Sequence, residues 1–197
     1  MPRKYDVAQL SDFLDSEMSA KLLETKLREF RCKRDSQLEK FIHTQAMRYE
    51  LKGFSRTYLV FDTDENPAFE SPTIAAFFSL AITATDYSEI GRNKREKVLG
   101  SKPGRETFRA FGGILIGQLA RDDRYDSSFI NGGELLDECE KYIEFGRQYI
   151  GGRIIYLDCK KELVQTYQKG NYKLLIDAPS SEGYFKMYKI LPDKIIA

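Results

Sequence analysis

Small and polar residues ahead of a predicted helix are the groups in this chain best suited to chemistry. Asn131 is followed by Gly132 and Gly133, and an apolar helical pattern begins directly after them. Asparagine is a favoured residue at the start of a helix, and glycines leave the backbone N–H groups of the first turn uncovered. Because such N–H groups attract anions, the pattern predicts a phosphate-binding turn.

The elements on either side of this turn can be predicted from their hydrophobic spacing. Residues 111–120 form an apolar run bounded by charge, which predicts a strand, and residues 121–133 are rich in turn formers. A helix then carries one apolar stripe at helical spacing, and this stripe predicts that the helix packs on a sheet. The stripe consists of Leu135, Cys139, Tyr142, Gly146 and Tyr149.

A second strand and a second helix are predicted next along the chain. Gly151 and Gly152 are expected to end the long helix, and residues 153–159 alternate as a strand. Residues 161–169 are long enough for about two helical turns. The alternative is an ordinary α/β layer in which the glycines only make turns, and the ordered series of elements favours a ligand site over it.

This series resembles the cofactor-binding half of the GNAT superfamily of acetyl-CoA-dependent N-acetyltransferases, over residues 108–191. Residues 116–122 are similar to the family's central strand, which usually reads Leu-Ala-Val followed by an acidic residue. Residues 166–172 are similar to its Phe-Tyr-x-x-x-Gly-Phe segment, with the tyrosine retained and the glycine one position early. The resemblance implies an α+β fold with a mixed, mostly antiparallel sheet of six to seven strands flanked by helices.

The resemblance also implies where acetyl-CoA binds. Backbone groups of Leu119, Ala120 and Arg121 are expected to bind pantetheine, and Arg124 is expected to offer charge-assisted hydrogen bonds to phosphate. The other expected cofactor-binding residues are Ser127, Ser128, Phe129, Ile130, Asn131, Gly132 and Gly133.

The pyrophosphate loop departs from the family pattern. That pattern reads Gln/Arg-x-x-Gly-x-Gly/Ala, and alignment on Leu135 places residues 127–132 against it, so that only the last glycine is retained. Ile130 stands where the first glycine is usual. Its side chain adds bulk where backbone would meet phosphate, so we expect either that cofactor binding is weakened or that the loop takes another path.

Tyr167 occupies the position of the tyrosine that family members use beside the thioester sulfur. The resemblance therefore implies that its phenol donates to the departing thiolate, and the alternative is an aromatic residue packed under the sheet. A backbone N–H near Leu119 is the implied oxyanion donor. The base that deprotonates the amine is left open among three carboxylates: Asp86, Glu89 and Glu106.

The first half of the chain predicts the remaining sheet and the acceptor side. Ser36 and Glu39 fit a capping box for a helix over residues 36–51, followed by strands at 55–62 and 73–84 with a turn at 64–67. A length of 197 residues suits one domain, with residues 1–107 on the acceptor side and 108–197 binding acetyl-CoA.

This half is also similar to a GNAT subgroup that includes toxins of toxin–antitoxin pairs, which acetylate aminoacyl-tRNA. Residues 92–105 are strongly basic, and an RNA-facing patch there would be extended by four further residues. These are Arg28, Arg31, Lys33 and Arg34. The alternative is a solvated short helix and loop.

The composition of the chain bears on its cellular location and on whether it binds a metal. The formal charge is +1 and no uninterrupted apolar run approaches the ~18 residues of a membrane span, so we expect a cytoplasmic protein without membrane contact. Cys32, Cys139 and Cys159 are widely spaced and His43 is remote from them, so no metal site is expected. A homodimer is compatible with an exposed sheet edge.

Three functions are left open by the residues. The first is an N-acetyltransferase acting on a primary amine, which is a small molecule, a protein or an aminoacyl-tRNA. The second is a catalytically silent GNAT-like module that binds acyl-CoA or a protein partner. The third is an α/β interaction domain with no cofactor.

Overall fold

A computed structural model describes residues 4–15, 17–63, 73–100, 107 and 109–192. Seven strands in these residues form one sheet. They are β1 (Tyr5–Gln9), β2 (Arg56–Asp62), β3 (Ile74–Asp86), β4 (Ala110–Arg121), β5 (Ile154–Cys159), β6 (Lys173–Leu174) and β7 (Phe185–Ile190). Their order across the sheet is β1-β2-β3-β4-β5-β7-β6.

The pairing of the strands confirms the predicted fold class. β1 with β2, β2 with β3, β5 with β7 and β6 with β7 are antiparallel, whereas β4 and β5 are parallel. A parallel pair needs a long crossover, and the helix between β4 and β5 provides it. The sheet is therefore mixed and mostly antiparallel, as expected.

Six α-helices accompany the sheet in the described ranges. They are α1 (Glu17–Glu29), α2 (Ser36–Thr44), α3 (Ala46–Lys52), α4 (Arg92–Leu99), α5 (Gly132–Gly146) and α6 (Val164–Lys169), with 3₁₀ helices at Leu10–Phe13 and Lys161–Leu163. No helix in this part of the chain is both long enough and apolar enough to cross a membrane.

The chain forms two compact units. The first unit contains residues 1–81 and 117–142, and the second unit contains residues 82–116 and 143–197. The first unit has a core of buried side chains from α1, α2 and strands β2 and β3, which includes Phe30, Phe41 and Phe77. The centroid of the Phe77 ring lies 5.1 Å from that of Phe30 and 6.1 Å from that of Phe41.

The helix predicted over residues 36–51 is in fact two helices. α2 ends at Thr44 and α3 begins at Ala46, with Gln45 between them. The predicted capping box is also wrong, because the carboxylate of Asp35 caps α2 by accepting the N–H of Gln37 at 3.0 Å. Glu39 instead accepts the N–H of Cys32 at 2.8 Å. The turn predicted at 64–67 lies outside the described residues.

The second unit has its own core, in which two tyrosine hydroxyls meet. The hydroxyl oxygens of Tyr87 and Tyr156 are 2.6 Å apart, and both residues are fully buried. Burial, together with this hydrogen bond, raises the pKa of Tyr87. Gly113 on β4 must lack a side chain, since a Cβ there would lie 2.7 Å from the carbonyl oxygen of Ile154 and would overlap the Tyr156 ring.

The end of α5 differs from the sequence expectation. The helix ends at Gly146 rather than at Gly151, so Tyr149 falls beyond it and is 76% exposed. Leu135 and Cys139 at the start of the predicted stripe are buried, at 2% and 0% exposure. The predicted apolar stripe therefore packs only where its residues lie within α5, and Tyr149 is not part of it.

Candidate functional site

The loop between β4 and α5 starts at a buried carboxylate. Asp122 has no solvent exposure, and its oxygens accept the backbone N–H groups of Arg31 at 3.0 Å and Arg124 at 2.8 Å. Its own N–H donates to the carbonyl of Ala75 at 2.8 Å. Because a buried carboxylate needs such donors to offset its lost hydration, these bonds fix the start of the loop within the first unit.

Arg124 is held by this same carboxylate. Its Nε and Nη2 donate to the two oxygens of Asp122, each at 2.9 Å, and the hydrogen bond raises the pKa of the guanidinium. Bidentate pairs of this kind are short and directional. The charged group that the sequence predicted for phosphate binding is therefore engaged with a carboxylate of its own loop.

The middle of the loop is organised by Asp126. Its Oδ1 accepts the N–H of Ser128 at 2.8 Å and the Ser128 hydroxyl at 2.6 Å, and these hydrogen bonds lower the pKa of Asp126. Ser127 and Ser128 are both exposed. The ring of Phe129 packs against the ring of Tyr125, with centroids 4.6 Å apart, and this contact supports the loop.

Ile130 points away from solvent. The side chain is 1% exposed, so it belongs to the buried part of the first unit. This burial favours the alternative in which the loop takes another path over the one in which the side chain obstructs phosphate. An apolar side chain at this position anchors the loop by burial.

Asn131 is the N-cap of α5, as predicted. Its Oδ1 accepts the N–H groups of Gly133 at 2.9 Å and Glu134 at 3.0 Å, and Glu134 Oε2 accepts the N–H of Asn131 at 2.8 Å. This reciprocal pattern is a capping box. Within the described residues the N–H of Gly132 has no acceptor, and a Cβ there would meet nothing within 4 Å.

Arg121, the last residue of β4, bridges the two ends of the loop. Its Nη1 donates to the carbonyl of Ile130 at 2.7 Å. Its Nε is buried and has no hydrogen-bond partner among the described residues. Its carbonyl, one of the backbone groups expected to bind pantetheine, accepts Arg34 Nη2 at 2.7 Å and is already hydrogen-bonded. Leu119 is half-buried and Ala120 is 4% exposed.

Tyr167 belongs to the second unit, on α6. Its half-buried ring contacts the ring of buried Tyr172, with centroids 6.0 Å apart. The backbone between them turns at Asn171, which has a φ of 67°. Asn171 occupies the position of the glycine in the family segment, and asparagine is among the few residues that adopt this left-handed conformation readily. The segment therefore has the backbone conformation that suits glycine there.

No family model matches this chain, and no curated protein matches it either. Several solved structures share its fold. A tyrosine-to-phenylalanine mutant of KacT has a TM-score of 0.67 and 12% identity, with 95% of each chain covered. AtaT complexed with acetyl-methionyl-tRNAfMet has a TM-score of 0.62 and 14% identity, and AtaTR bound with AcCoA has a TM-score of 0.60 and 13% identity. Both matches cover 95% of this chain. They cover 94% of the AtaT chain in the tRNA complex and 93% of the AtaTR chain.

KacT and AtaT are acetyltransferase toxins of GNAT fold. The present chain has the GNAT fold. At 12–14% identity the likeness establishes the architecture, and the site must be judged on its own residues.

Two features of the loop fit the phosphates of the acetyl-CoA that the GNAT fold implies. Gly132 offers an N–H without an acceptor in the described residues, with open space on the side where a Cβ would stand. Arg121 adds a positive charge at the same end of the loop, with no ion pair to a carboxylate of the described residues. The first N–H groups of a helix and an arginine charge both favour an anion.

The sequence analysis missed the acidic side chains that shape this GNAT loop. Asp122 and Asp126 bind backbone N–H groups within it, and Glu134 binds the N–H of Asn131. An Asn-x-x-Glu spacing is a recognisable capping signal, so Glu134 could have been found. The buried role of Asp122 depends on Arg31, which lies 91 residues away, and no local pattern reveals it.

Two of the three candidate bases, Asp86 and Glu89, lie in the described residues. Asp86 is exposed, and hydrogen bonds from Ser88 lower the pKa of its carboxyl, which makes it a weaker base. Glu89 is exposed near the start of α4. Glu106 lies outside the described residues. Neither Asp86 nor Glu89 is singled out by its surroundings.

The basic segment 92–105 is described only as far as Gly100. In α4, Arg92 pairs with Glu96 at 3.2 Å and Lys94 pairs with Asp177 at 3.4 Å. The Nη2 of Arg95 donates to the carbonyl of Tyr87. These contacts occupy cations of α4 within the second unit, as the solvated-helix alternative expects.

The cysteines are buried thiols. Cys32, Cys139 and Cys159 are free and between 0% and 3% exposed. Burial raises the pKa of all three and brings that of Cys159 to about 11. The Nε2 of His43 lies 2.8 Å from the carbonyl of Phe30, a contact that supports a structural role. Neither residue type is placed as a nucleophile.

Proposed function

We propose that this chain is an N-acetyltransferase that transfers the acetyl group of acetyl-CoA to a primary amine. The observation that carries the proposal is the loop after β4, where, among the described residues, the N–H of Gly132 has no acceptor and the guanidinium of Arg121 has no carboxylate partner. This loop belongs to a chain of GNAT fold. One of the solved structures that share the fold, AtaTR, is bound with AcCoA.

Residues of the loop would hold the cofactor. Gly132 would donate its N–H to phosphate, with the exposed hydroxyl of Ser127 as a further donor, since the Ser128 hydroxyl already donates to Asp126. Backbone groups of Leu119 and Ala120, near the end of β4, would bind pantetheine. Bound acetyl-CoA supplies an activated acetyl thioester.

Two groups would act on the charges that develop during transfer. The backbone N–H of Leu119 would donate to the acetyl oxygen as negative charge grows there. The phenol of Tyr167 would donate a proton to the departing sulfur, which leaves more readily as a thiol. The attacking amine must lose a proton, and exposed carboxylates such as Glu89 are the available acceptors or relays.

We propose an amine carried by RNA as the acceptor. Arg28 lies in the last turn of α1, and Arg31, Lys33 and Arg34 follow the end of that helix; all four are exposed. The segment adjoins the loop, since Arg34 Nη2 donates to the Arg121 carbonyl at 2.7 Å and the Lys33 N–H donates to Asp123 at 2.7 Å. Arg28 pairs with Glu24 and Arg34 with Asp123, so Arg31 and Lys33 are the two of these cations without a carboxylate partner in the described residues, and they would meet a phosphate backbone. AtaT has been solved with acetyl-methionyl-tRNAfMet.

The test is release of free CoA thiol from acetyl-CoA in the presence of candidate amines. We expect release with aminoacyl-tRNA and little with uncharged tRNA, because only the former carries an α-amino group. Polyamines, free amino acids and peptide amines separate the other acceptor classes. Binding of acetyl-CoA with no transfer to any of these acceptors would favour a silent GNAT-like module.

A further inference from the structure

The loop after β4 carries two arginines, and their surroundings differ. Arg124 donates two bonds to the buried Asp122, so its charge is already neutralised. Arg121 makes no ion pair with a carboxylate of the described residues, and its one side-chain acceptor is the Ile130 carbonyl. The two guanidinium groups are therefore unequal in their readiness to bind an anion.

The position of Arg121 is also suitable. Its Nη1 reaches the carbonyl of Ile130, two residues before Gly132, so the guanidinium lies where the loop joins α5. Arg121 as a residue is half-buried, although its Nε atom is not accessible. Hydrogen bonds from Ser128 lower the pKa of Asp126, and the positive charge of Arg121 adds a smaller contribution in the same direction.

We infer that the side chain of Arg121 is the charged phosphate-binding group of this loop. The inference rests on the proposed function, and it gives the Arg121 guanidinium a role that the sequence resemblance implied for Arg124. In this role Arg121 holds the end of the loop through Ile130 and presents its remaining donors to the phosphates of acetyl-CoA. Arg124 instead fixes the start of the loop through Asp122.

A purely structural role for Arg121 makes a different prediction. If Arg121 only braced the loop, a neutral side chain with an N–H donor for the Ile130 carbonyl would replace it. Glutamine supplies that donor without the charge, and lysine supplies both. The two substitutions therefore separate the charge from the brace.

The experiment is calorimetric titration of acetyl-CoA into the wild-type protein, Arg121→Gln, Arg121→Lys and a matched control, Arg48→Gln. Arg48 is an exposed arginine of the first unit that lies over the Tyr49 ring, so the control removes one positive charge away from the loop. We expect Arg121→Gln to weaken binding by about tenfold or more, Arg121→Lys to retain most of the affinity, and the control to match the wild type.

A second measurement uses the unaltered chain. Phenylglyoxal modifies arginine side chains, and we expect saturating acetyl-CoA to slow its reaction at Arg121 relative to Arg48, as mapped by mass spectrometry. Wild-type affinity in Arg121→Gln, or equal protection at both arginines, would overturn the inference and leave the proposed function standing. Failure of the wild-type protein to bind acetyl-CoA would overturn both.

Discussion

Replacement of Tyr167 by phenylalanine is expected to lower the turnover number of acetyl transfer by about 100-fold at saturating acetyl-CoA. The phenol is the group proposed to protonate the departing sulfur, and phenylalanine removes only that hydroxyl. The ring contact with Tyr172 is retained, so the fold of the α6 segment should persist. The measurement is steady-state thiol release with the acceptor that supports transfer.

The matched control for this substitution is Tyr149→Phe. Tyr149 is 76% exposed and, like Tyr167, contacts one other aromatic ring, that of Phe145, so the control removes one tyrosine hydroxyl away from the proposed site. We expect its turnover number to equal that of the wild type. Equal turnover in Tyr167→Phe as well would remove Tyr167 from the chemistry and leave it as a packing residue.

Replacement of Asp122 by alanine is expected to lower the free energy of unfolding by about 3 kcal/mol. Asp122 is completely buried and accepts N–H groups from Arg31 and Arg124, which would lose their acceptor. The Arg124 guanidinium, whose side chain is 43% exposed, would also lose its bidentate partner. Urea unfolding followed by circular dichroism measures this loss.

Asp177→Ala is the control for this loss of stability. Asp177 also pairs with a cation, Lys94, but its side chain is 81% exposed, so solvent replaces the interaction. We expect its free energy of unfolding to stay within about 0.5 kcal/mol of the wild type. A similarly small change in Asp122→Ala would show that the buried carboxylate does not fix the loop.

Strands β2, β3, β4 and β5 and the start of α5 were predicted because their signals are local, whereas β1, β6 and β7 were not predicted. The apolar run that became β4 lies between charged residues, and Asn131 caps α5 through bonds to residues two and three positions later. Patterns of this length are visible in the sequence. The end of α5 was less visible, because Gly151 is a stronger helix-ending signal than the Gly146 at which the helix ends.

The phosphate loop could be located from the sequence, but its interior could not. Because Ile130 replaces a family glycine, it was expected to weaken cofactor binding or to redirect the loop, and only its burial favours the second. Arg124 was expected to meet phosphate, yet it pairs with Asp122, whose environment is completed by the distant Arg31. Which arginine is neutralised depends on this long-range contact, and sequence spacing carries no record of it.

The α6 segment shows how a departure from a family pattern can keep its physical content. The glycine of Tyr167-Gln-Lys-Gly-Asn-Tyr172 stands one position early, but the left-handed conformation falls on Asn171, at the family's own glycine position. Asparagine tolerates a φ of 67°, so the substitution preserves the turn. Comparison of the family segment with residues 166–172 by sequence alone shows only a mismatch at this position.

The most direct test is calorimetric titration of acetyl-CoA into the purified protein, with S-acetylpantetheine as the comparison ligand. The two share the thioester and the pantetheine arm, and only acetyl-CoA carries the phosphates that the loop after β4 is proposed to bind. We predict micromolar binding of acetyl-CoA and binding of S-acetylpantetheine that is weaker by about 100-fold. Absence of acetyl-CoA binding, or equal affinity for the two ligands, would contradict a phosphate-binding role for this loop.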